Sequence, residues 1–442
     1  MMFLALENYS FKKYQKVIQY LKYWKRGNIV GKDIIADHAR WPRLEDEIFK
    51  VNKECKDAIK EKGRDKVIDS TLGTLIDDDG NLVAFDSVYD TLKDMDKKSI
   101  ASYAAIEGNE AYLDLLVDKC FGPYKPDAYI KAIATAGGTG AIRHSIWTFL
   151  NQGDYVICPN WYWPAYSTMC EEFDREFKTY EFLDEDFNFN LEEFTNTLDF
   201  ALEKKDRVLC VFNSPANNPT GFSIDDAMWD RILDVIKKRA VDGKFICILL
   251  DVAYIEFAGE GSQKKFFEKF SSLPENIITT VAYSMSKSYT AYGIRTGACI
   301  IISSNEDIAN RAFDSMKHSN RSIWSNITHA GMNILVDIEN DEEKKKAYED
   351  ELQENRKLVE KRADAFVKSA KEVGLVHLPY FGGFFISIPC DNQKEVAEKL
   401  KEKDMYIVAN KNGLRFAVCA VSEEKCIISP RLIKEAIEEV NK

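Results

Sequence analysis

Histidine is scarce in this sequence: there are five in 442 residues, and none stands at a metal-ligand spacing. A histidine-built metal centre is therefore not expected. Cysteine occurs ten times but never as C-x-x-C, and several fall inside apolar runs, such as Cys210 in RVLCVFN and Cys247 in FICILLD. These read as small buried hydrophobes in a reducing compartment, not as a disulfide frame. Basic charge is in deficit, with 60 Lys and Arg against 72 Asp and Glu and a net charge of −12. A nucleic-acid partner, which needs a basic face, is not expected. No apolar run reaches the length of a membrane span, and the apolar start of MMFLALENYSFKKYQ is too short for a signal segment. The expectation is a soluble cytoplasmic protein. Internal repeats and low-complexity tracts are also missing.

What is present is enough chain for two cores, at 45% apolar residues. Residues 1–65 are charged and helical in pattern, EDEIFKVNKECKDAIKEK most clearly, and the first 30 or so look like an extension. From about 130 to 305 the pattern changes. Short apolar runs (YIKAIATA, DYVICP, RVLCVFN, KFICILLD, NIITTVAYS, GACIIIS) alternate with helical stretches such as TGAIRHSIWTFLNQ and DDAMWDRILDVIKKRAVD. Continuous apolar strands separated by helices predict an α/β unit with a mostly parallel sheet covered on both faces. Residues 341–373 predict one long charged helix, and GGFFISIP, MYIVAN and LRFAVCAV after it predict a smaller α+β unit.

In such sheets the chemistry gathers at the carboxyl ends of the strands. After YIKAIATA comes Gly137-Gly138-Thr139-Gly140, opening a helix. That is an anion site in the making or simply a tight turn, and it lacks the lysine of a Walker A loop. CPNWYWPAY offers aromatic faces on which a planar ring could stack, or a hydrophobic anchor. FNSPANNPTGFS carries an Asn-Pro-Thr-Gly turn, and ILLDVAYIEF ends an apolar strand on Asp251, costly without a cation or strong donor. VAYSMSKSYTAYGIRTG delivers Lys287 among Ser284, Ser286 and Arg295. Together these pieces describe a planar ligand, anionic at one end, with a basic ring nitrogen and a carbonyl reactive toward amines. Pyridoxal 5′-phosphate meets that description.

The ordered set GGTGA, W-x-W-P, N-P-T-G, D-x-x-Y and S-x-S-K followed by R-x-G, over roughly residues 70–420, resembles the class I, fold-type I aminotransferases, the aspartate and aromatic branch most closely. The resemblance implies a large cofactor-binding domain at 86–335 and a small domain from 1–85 and 336–442. It implies that Lys287 holds pyridoxal 5′-phosphate covalently and later moves a proton at the substrate Cα. Asp251 would face the ring nitrogen, and Tyr254 and Asn218 the ring's phenolic oxygen. Gly138, Thr139, Ser284, Ser286 and Arg295 would form the phosphate cup. Trp163 would stack on the ring, with Trp161 its rival, and no metal is implied. Tyr103 in ASYAAIEGNEAY would reach the phosphate of a neighbouring subunit, implying a homodimer with shared sites. Gly73 in LGTLIDDDG would approach the substrate, as would Trp163 and Asn218. Arg415 in NGLRFAV would grip the α-carboxylate, and Arg321 in NRSIWSN, if not merely a surface or interface residue, the distal carboxylate from the other subunit.

Some residues depart from the family pattern. Tyr166 stands where a histidine is common, Trp324 where a tyrosine is, SNITHAG lacks prolines, and Leu75 replaces an aromatic. The expected activity is transamination of an L-amino acid, aspartate foremost, with 2-oxoglutarate. An aromatic (tyrosine) aminotransferase is the alternative, ahead of a decarboxylase or C–S lyase on the same fold.

Overall fold

The computed structural model describes residues 34–39, 41, 47–259 and 263–442. The expected N-terminal extension lies outside the described residues. The helix expected in EDEIFKVNKECKDAIKEK runs from Glu47 to Lys62.

Seven strands form the larger sheet: β2 (Tyr129–Ala136), β3 (Tyr155–Pro159), β4 (Glu176–Tyr180), β5 (Arg207–Asn213), β6 (Phe245–Asp251), β7 (Ile277–Ser284) and β8 (Thr296–Ser303). Their order is β2-β8-β7-β6-β5-β3-β4. The pairs from β4 through β7 are parallel, and β8 runs antiparallel to both β7 and β2. The sheet is thus mostly parallel, as its apolar runs predict. Alternate side chains point to opposite faces. Val208, Cys210 and Phe212 of β5, with Ile246, Ile248 and Leu250 of β6, enter one core cluster. Their neighbours Leu209, Val211, Cys247 and Leu249 enter another. Both faces are dry, which is why these strands read as unbroken hydrophobic runs.

A four-stranded sheet stands apart, in the order β1-β10-β11-β9: β1 (Ile68–Ser70), β9 (Phe385–Pro389), β10 (Met405–Asn410) and β11 (Gly413–Ala417). Its Ile386, Ile388, Met405, Leu414 and Phe416 belong to the first core cluster, so that core runs continuously into the large sheet. Sequence patterning did not reveal β1 or β4. The first has three residues, and all but one residue of the second are only half-buried, so neither carries a long apolar signal.

The long helix Glu342–Val373 links the two parts. Asp341 caps its start by accepting from the N–H groups of Glu343 and Lys344, and Gly374 ends it in the left-handed conformation (φ 69°). It buries Tyr348, Leu352, Val359, Ala363, Phe366 and Ala370, an apolar stripe of helical period. Arg362 lies on that stripe, fully buried. Its guanidinium donates to the carbonyls of Ile76 (2.8 Å) and Cys419 (3.1 Å) and to Asp78 (2.6 Å).

Candidate active site

Strand register assembles the site. Asn213 pairs with Asp251, Asp251 with Ala282, Ser284 with Gly297, and Ala136 with Thr296. The ends of β2, β5, β6 and β7 and the start of β8 therefore lie along one edge of the sheet.

At the β2 end, the helix Gly137–Phe149 begins directly on the glycines, with no side-chain cap and no acid in its first turn. Its first N–H groups lack intrahelical partners and carry the positive end of the helix dipole. Gly137 has φ +67°, a conformation that favours glycine, and a Cβ there would stand 2.8 Å from Arg295 Nη2 and displace the end of that guanidinium. Ser284 borders Gly138, where a Cβ would meet it at 3.4 Å. Ser284 Oγ accepts from the N–H of Ser286 (3.2 Å), and Arg295 donates to Ser286 Oγ (3.2 Å) and to the Tyr292 carbonyl (2.9 Å). Thr139 is exposed on the helix's first turn. Gly137, Gly138, Ser284, Ser286 and Arg295 thus converge on one cationic, donor-rich concavity.

Lys287 follows β7 in the single turn Met285–Ser288. It is half-buried, and its Nζ donates to the Gly73 carbonyl (3.1 Å) while lying 4.8 Å from the Tyr292 ring centre and 5.7 Å from that of Tyr254. Burial, aided by the charges of Arg295 and Arg415, brings its pKa down to about 8. Asp251 is 5% exposed. Its Oδ2 accepts from Tyr166 Oη (2.5 Å), and its Oδ1 accepts from the N–H of Ala253 (3.2 Å). Burial outweighs these bonds and raises its pKa. Burial likewise raises the phenol of Tyr254, against the pull of Arg415. Asn218 Nδ2 lies 3.5 Å from Tyr254 Oη.

Arg415 is buried in β11, its Nη2 donating to the Thr71 carbonyl (2.7 Å) and its guanidinium lying 4.3 Å from the Phe385 ring centre. The same ring closes on Gly73, where a Cβ would collide with it. Trp163 is half-buried and meets Tyr166 edge-on (5.5 Å), whereas Trp161 sinks into the core cluster that holds Phe182 and Phe212. Tyr103 is 90% exposed. Arg321 is exposed at the end of the helix Glu306–Ile323, its Nη1 donating to Ser325 Oγ (2.6 Å). The sheet edge brings together Lys287, Asp251, Tyr254, Asn218 and the glycine–serine–arginine concavity, while Tyr103 and Arg321 point to solvent.

Three residues escaped sequence reasoning. Asn213 donates to the Asp251 carbonyl (2.8 Å) and accepts from the Asn218 N–H (2.6 Å), tying two strand ends together. Tyr292 accepts from the Leu75 N–H (3.0 Å) beneath Lys287. Phe385 carries Arg415. Asn213 and Tyr292 stand inside motifs already quoted, and their position at a strand end or beside the lysine was the available signal. Phe385 had none.

The chain matches the family model described as aminotransferase class I and II over residues 66–428. It is 26% identical to the aspartate aminotransferase of Salmonella typhi over 288 residues, which is 63% of this chain and 70% of that protein. It is 23% identical to the tyrosine aminotransferase of Klebsiella pneumoniae over 322 residues, 71% and 79% of the two. Among solved structures, an aminotransferase from Anaerococcus prevotii DSM 20548 superposes with a TM-score of 0.90 at 46% identity, covering 93% of this chain and all of that one. The chain belongs to the class I pyridoxal-phosphate-dependent aminotransferases of fold type I, and it is an aspartate aminotransferase-like transaminase.

Proposed function

We propose that this transaminase moves the amino group of an L-amino acid, aspartate foremost, to 2-oxoglutarate, with pyridoxal 5′-phosphate held covalently by Lys287. The observation that carries the reading is Lys287 itself. It is a lysine with a pKa near 8, set between two phenol rings and coupled to Asp251, Arg295 and Arg415.

The surrounding residues fit the cofactor. An acid-free helix N-terminus with Ser284, Ser286 and Arg295 suits a phosphate, Arg295 through its planar fork. Asp251 is buried and makes no salt bridge among the described residues, so a protonated ring nitrogen would supply its missing cation. Tyr254 and Asn218 would hold the phenolic oxygen, and Trp163 would offer a flat face. When bound, the cofactor supplies an aldehyde that takes up the amine and a ring that accepts the electron pair released at Cα. Lys287 Nζ, neutral in a useful fraction near pH 8, moves the proton at the substrate Cα. Arg415 orients the α-carboxylate from a site fixed by Thr71 and Phe385, and Gly73, whose carbonyl accepts from Lys287 Nζ, stands where the substrate would approach.

For the distal group, Arg321 would act from the partner of a homodimer and favour a dicarboxylate by bidentate pairing. Tyr103, almost fully exposed in one chain, would reach the partner's phosphate site. The proposed domains are a large one at 86–335 and a small one at 1–85 and 336–442. The ten free cysteines suit a reducing, cytoplasmic setting. Because aspartate and tyrosine aminotransferases both stand among the relatives, and because Trp324 and Tyr166 reshape the surroundings, an aromatic donor is the second reading.

The test is a half-reaction. The cofactor-loaded protein is mixed with aspartate, tyrosine or alanine without an acceptor, and loss of the absorption band of the lysine-bound cofactor is followed. Fast loss with aspartate alone supports the first reading. Loss with tyrosine as well supports the second, and no loss with any amino acid rejects transamination by this site.

A further inference from the structure

Asn320 is completely buried at the end of the helix Glu306–Ile323, immediately before Arg321. Every polar atom of its side chain is used. Nδ2 donates to the carbonyls of Ile106 (2.8 Å) and Ala134 (3.0 Å), and Oδ1 meets His144 Nε2 at 2.7 Å. With both amide protons committed to carbonyls, Oδ1 must accept, so His144 carries its proton on Nε2. His144 is itself buried on the glycine-led helix Gly137–Phe149, and burial lowers its pKa to about 4, leaving it neutral at working pH.

One side chain therefore joins three segments: the loop that bears Tyr103, the strand that leads into Gly137, and the helix that opens on the phosphate concavity. Neighbouring contacts fasten the same loop. Lys317, one turn before Asn320, pairs with Glu107 (2.8 Å), and the N–H of Ala134 donates to the Glu107 carbonyl (2.8 Å). The Asn320 carbonyl also accepts from the N–H groups of Trp324 (3.1 Å) and Ser325 (2.9 Å), so it shapes the turn where Arg321 finds its own partner, Ser325. Trp324 in turn leans on His144, 5.2 Å between ring centres.

We infer that Asn320 is a positioning residue that holds Tyr103 and Arg321 in fixed register with each other, so that one subunit presents both to its partner's active site as a single unit. This rests on the proposed assignment of those two residues to the neighbouring site. Asn320 touches neither substrate nor cofactor. It acts through the loop at Ile106 and the helix end at Arg321.

Mixed dimers test it. Asn320→Leu as a homodimer is expected to raise KM for aspartate and 2-oxoglutarate about tenfold and to weaken pyridoxal 5′-phosphate binding severalfold, with kcat for a tyrosine donor changed by less than about threefold. Asn320→Leu subunits are then combined with Lys287→Ala subunits. The only competent site in such a hybrid uses Lys287 from the first chain and Tyr103 and Arg321 from the second, whose Asn320 is intact. Both KM and cofactor affinity, the latter read by absorbance titration of the apo-protein, should return to wild-type values. A hybrid that keeps the raised KM overturns the inference, as does a homodimer that loses kcat equally on every substrate.

An Arg321→Ala hybrid made the same way separates the two failures. If that hybrid is restored and the Asn320 hybrid is not, the inference about Asn320 is wrong. If the Arg321 hybrid is not restored either, the placement of Arg321 in the partner's site is wrong and the inference falls with it. Should Asn320→Leu fail to fold, His144→Phe removes only one bond of the junction, and the same mixing with the same two outcomes decides.

Discussion

At the scale of single residues, Lys287 and Asp251 carry opposite burdens of burial. The lysine is pushed from 10.5 down to about 8, so its neutral form gains ground below the ordinary lysine range. The charged form is penalised below pH 8, and that penalty on the fold fades as pH climbs from 8 to 10.5. Capture of pyridoxal 5′-phosphate by the apo-protein needs the free amine. Its rate should therefore climb about tenfold per pH unit up to pH 8 and flatten above it. A climb that continues to pH 10 in stopped-flow absorbance would contradict the role of burial. Lys287→Ala should fold, judged by circular dichroism, yet lose at least about a thousandfold in turnover. Lys287 and Asp251 were legible in the sequence because each is a charged residue at the end of an apolar run, where charge is costly without a purpose, whereas Arg415, inside its strand, was singled out only through the family resemblance. Phe385 was not legible: one phenylalanine among 26 looks like core until the fold sets it under a guanidinium.

Among the elements, two carry predictions. The glycine-led helix depends on Gly137, with φ +67° and Arg295 in the space a side chain would need. Gly137→Ala should cost about 1–2 kcal/mol of local strain, which is about five- to thirtyfold in cofactor affinity by titration. The long helix depends on Arg362, whose buried guanidinium holds Ile76, Asp78 and Cys419. Arg362→Met should lower stability by about 2–4 kcal/mol in urea unfolding, because two carbonyls lose a buried charged donor, while Asp78, whose side chain is 61% exposed, adds little. The six apolar runs of the large sheet were readable because both faces are buried, and the long helix because its stripe keeps helical period over 32 residues. β1 and β4 were not, being short or half-exposed, and the antiparallel turn of β8 has no local sequence mark.

For the whole molecule, the proposed homodimer would have each site finished by Tyr103 and Arg321 of a second copy. Sedimentation equilibrium should give twice the 50.6 kDa chain mass. Arg321→Ala should then raise KM for aspartate by about a hundredfold and for tyrosine by less than about fivefold, the difference a charge-assisted bidentate pair makes. Equal losses on both would remove the arginine from substrate recognition.

The cysteines add a property of another kind. Nine of the ten free thiols are buried, and Cys390 alone is partly accessible. A thiol reagent applied to the native protein therefore meets one fast site and a series of slow ones, each exposed only when its own segment opens. Cys419 is the most informative of these, since its Sγ faces the Leu72 carbonyl and its own carbonyl is held by Arg362. Its labelling rate is a built-in clock for how often the strip from Leu72 to Asp78 lifts from the site, and a bound dicarboxylate should slow that clock while leaving the one at Cys390 unchanged.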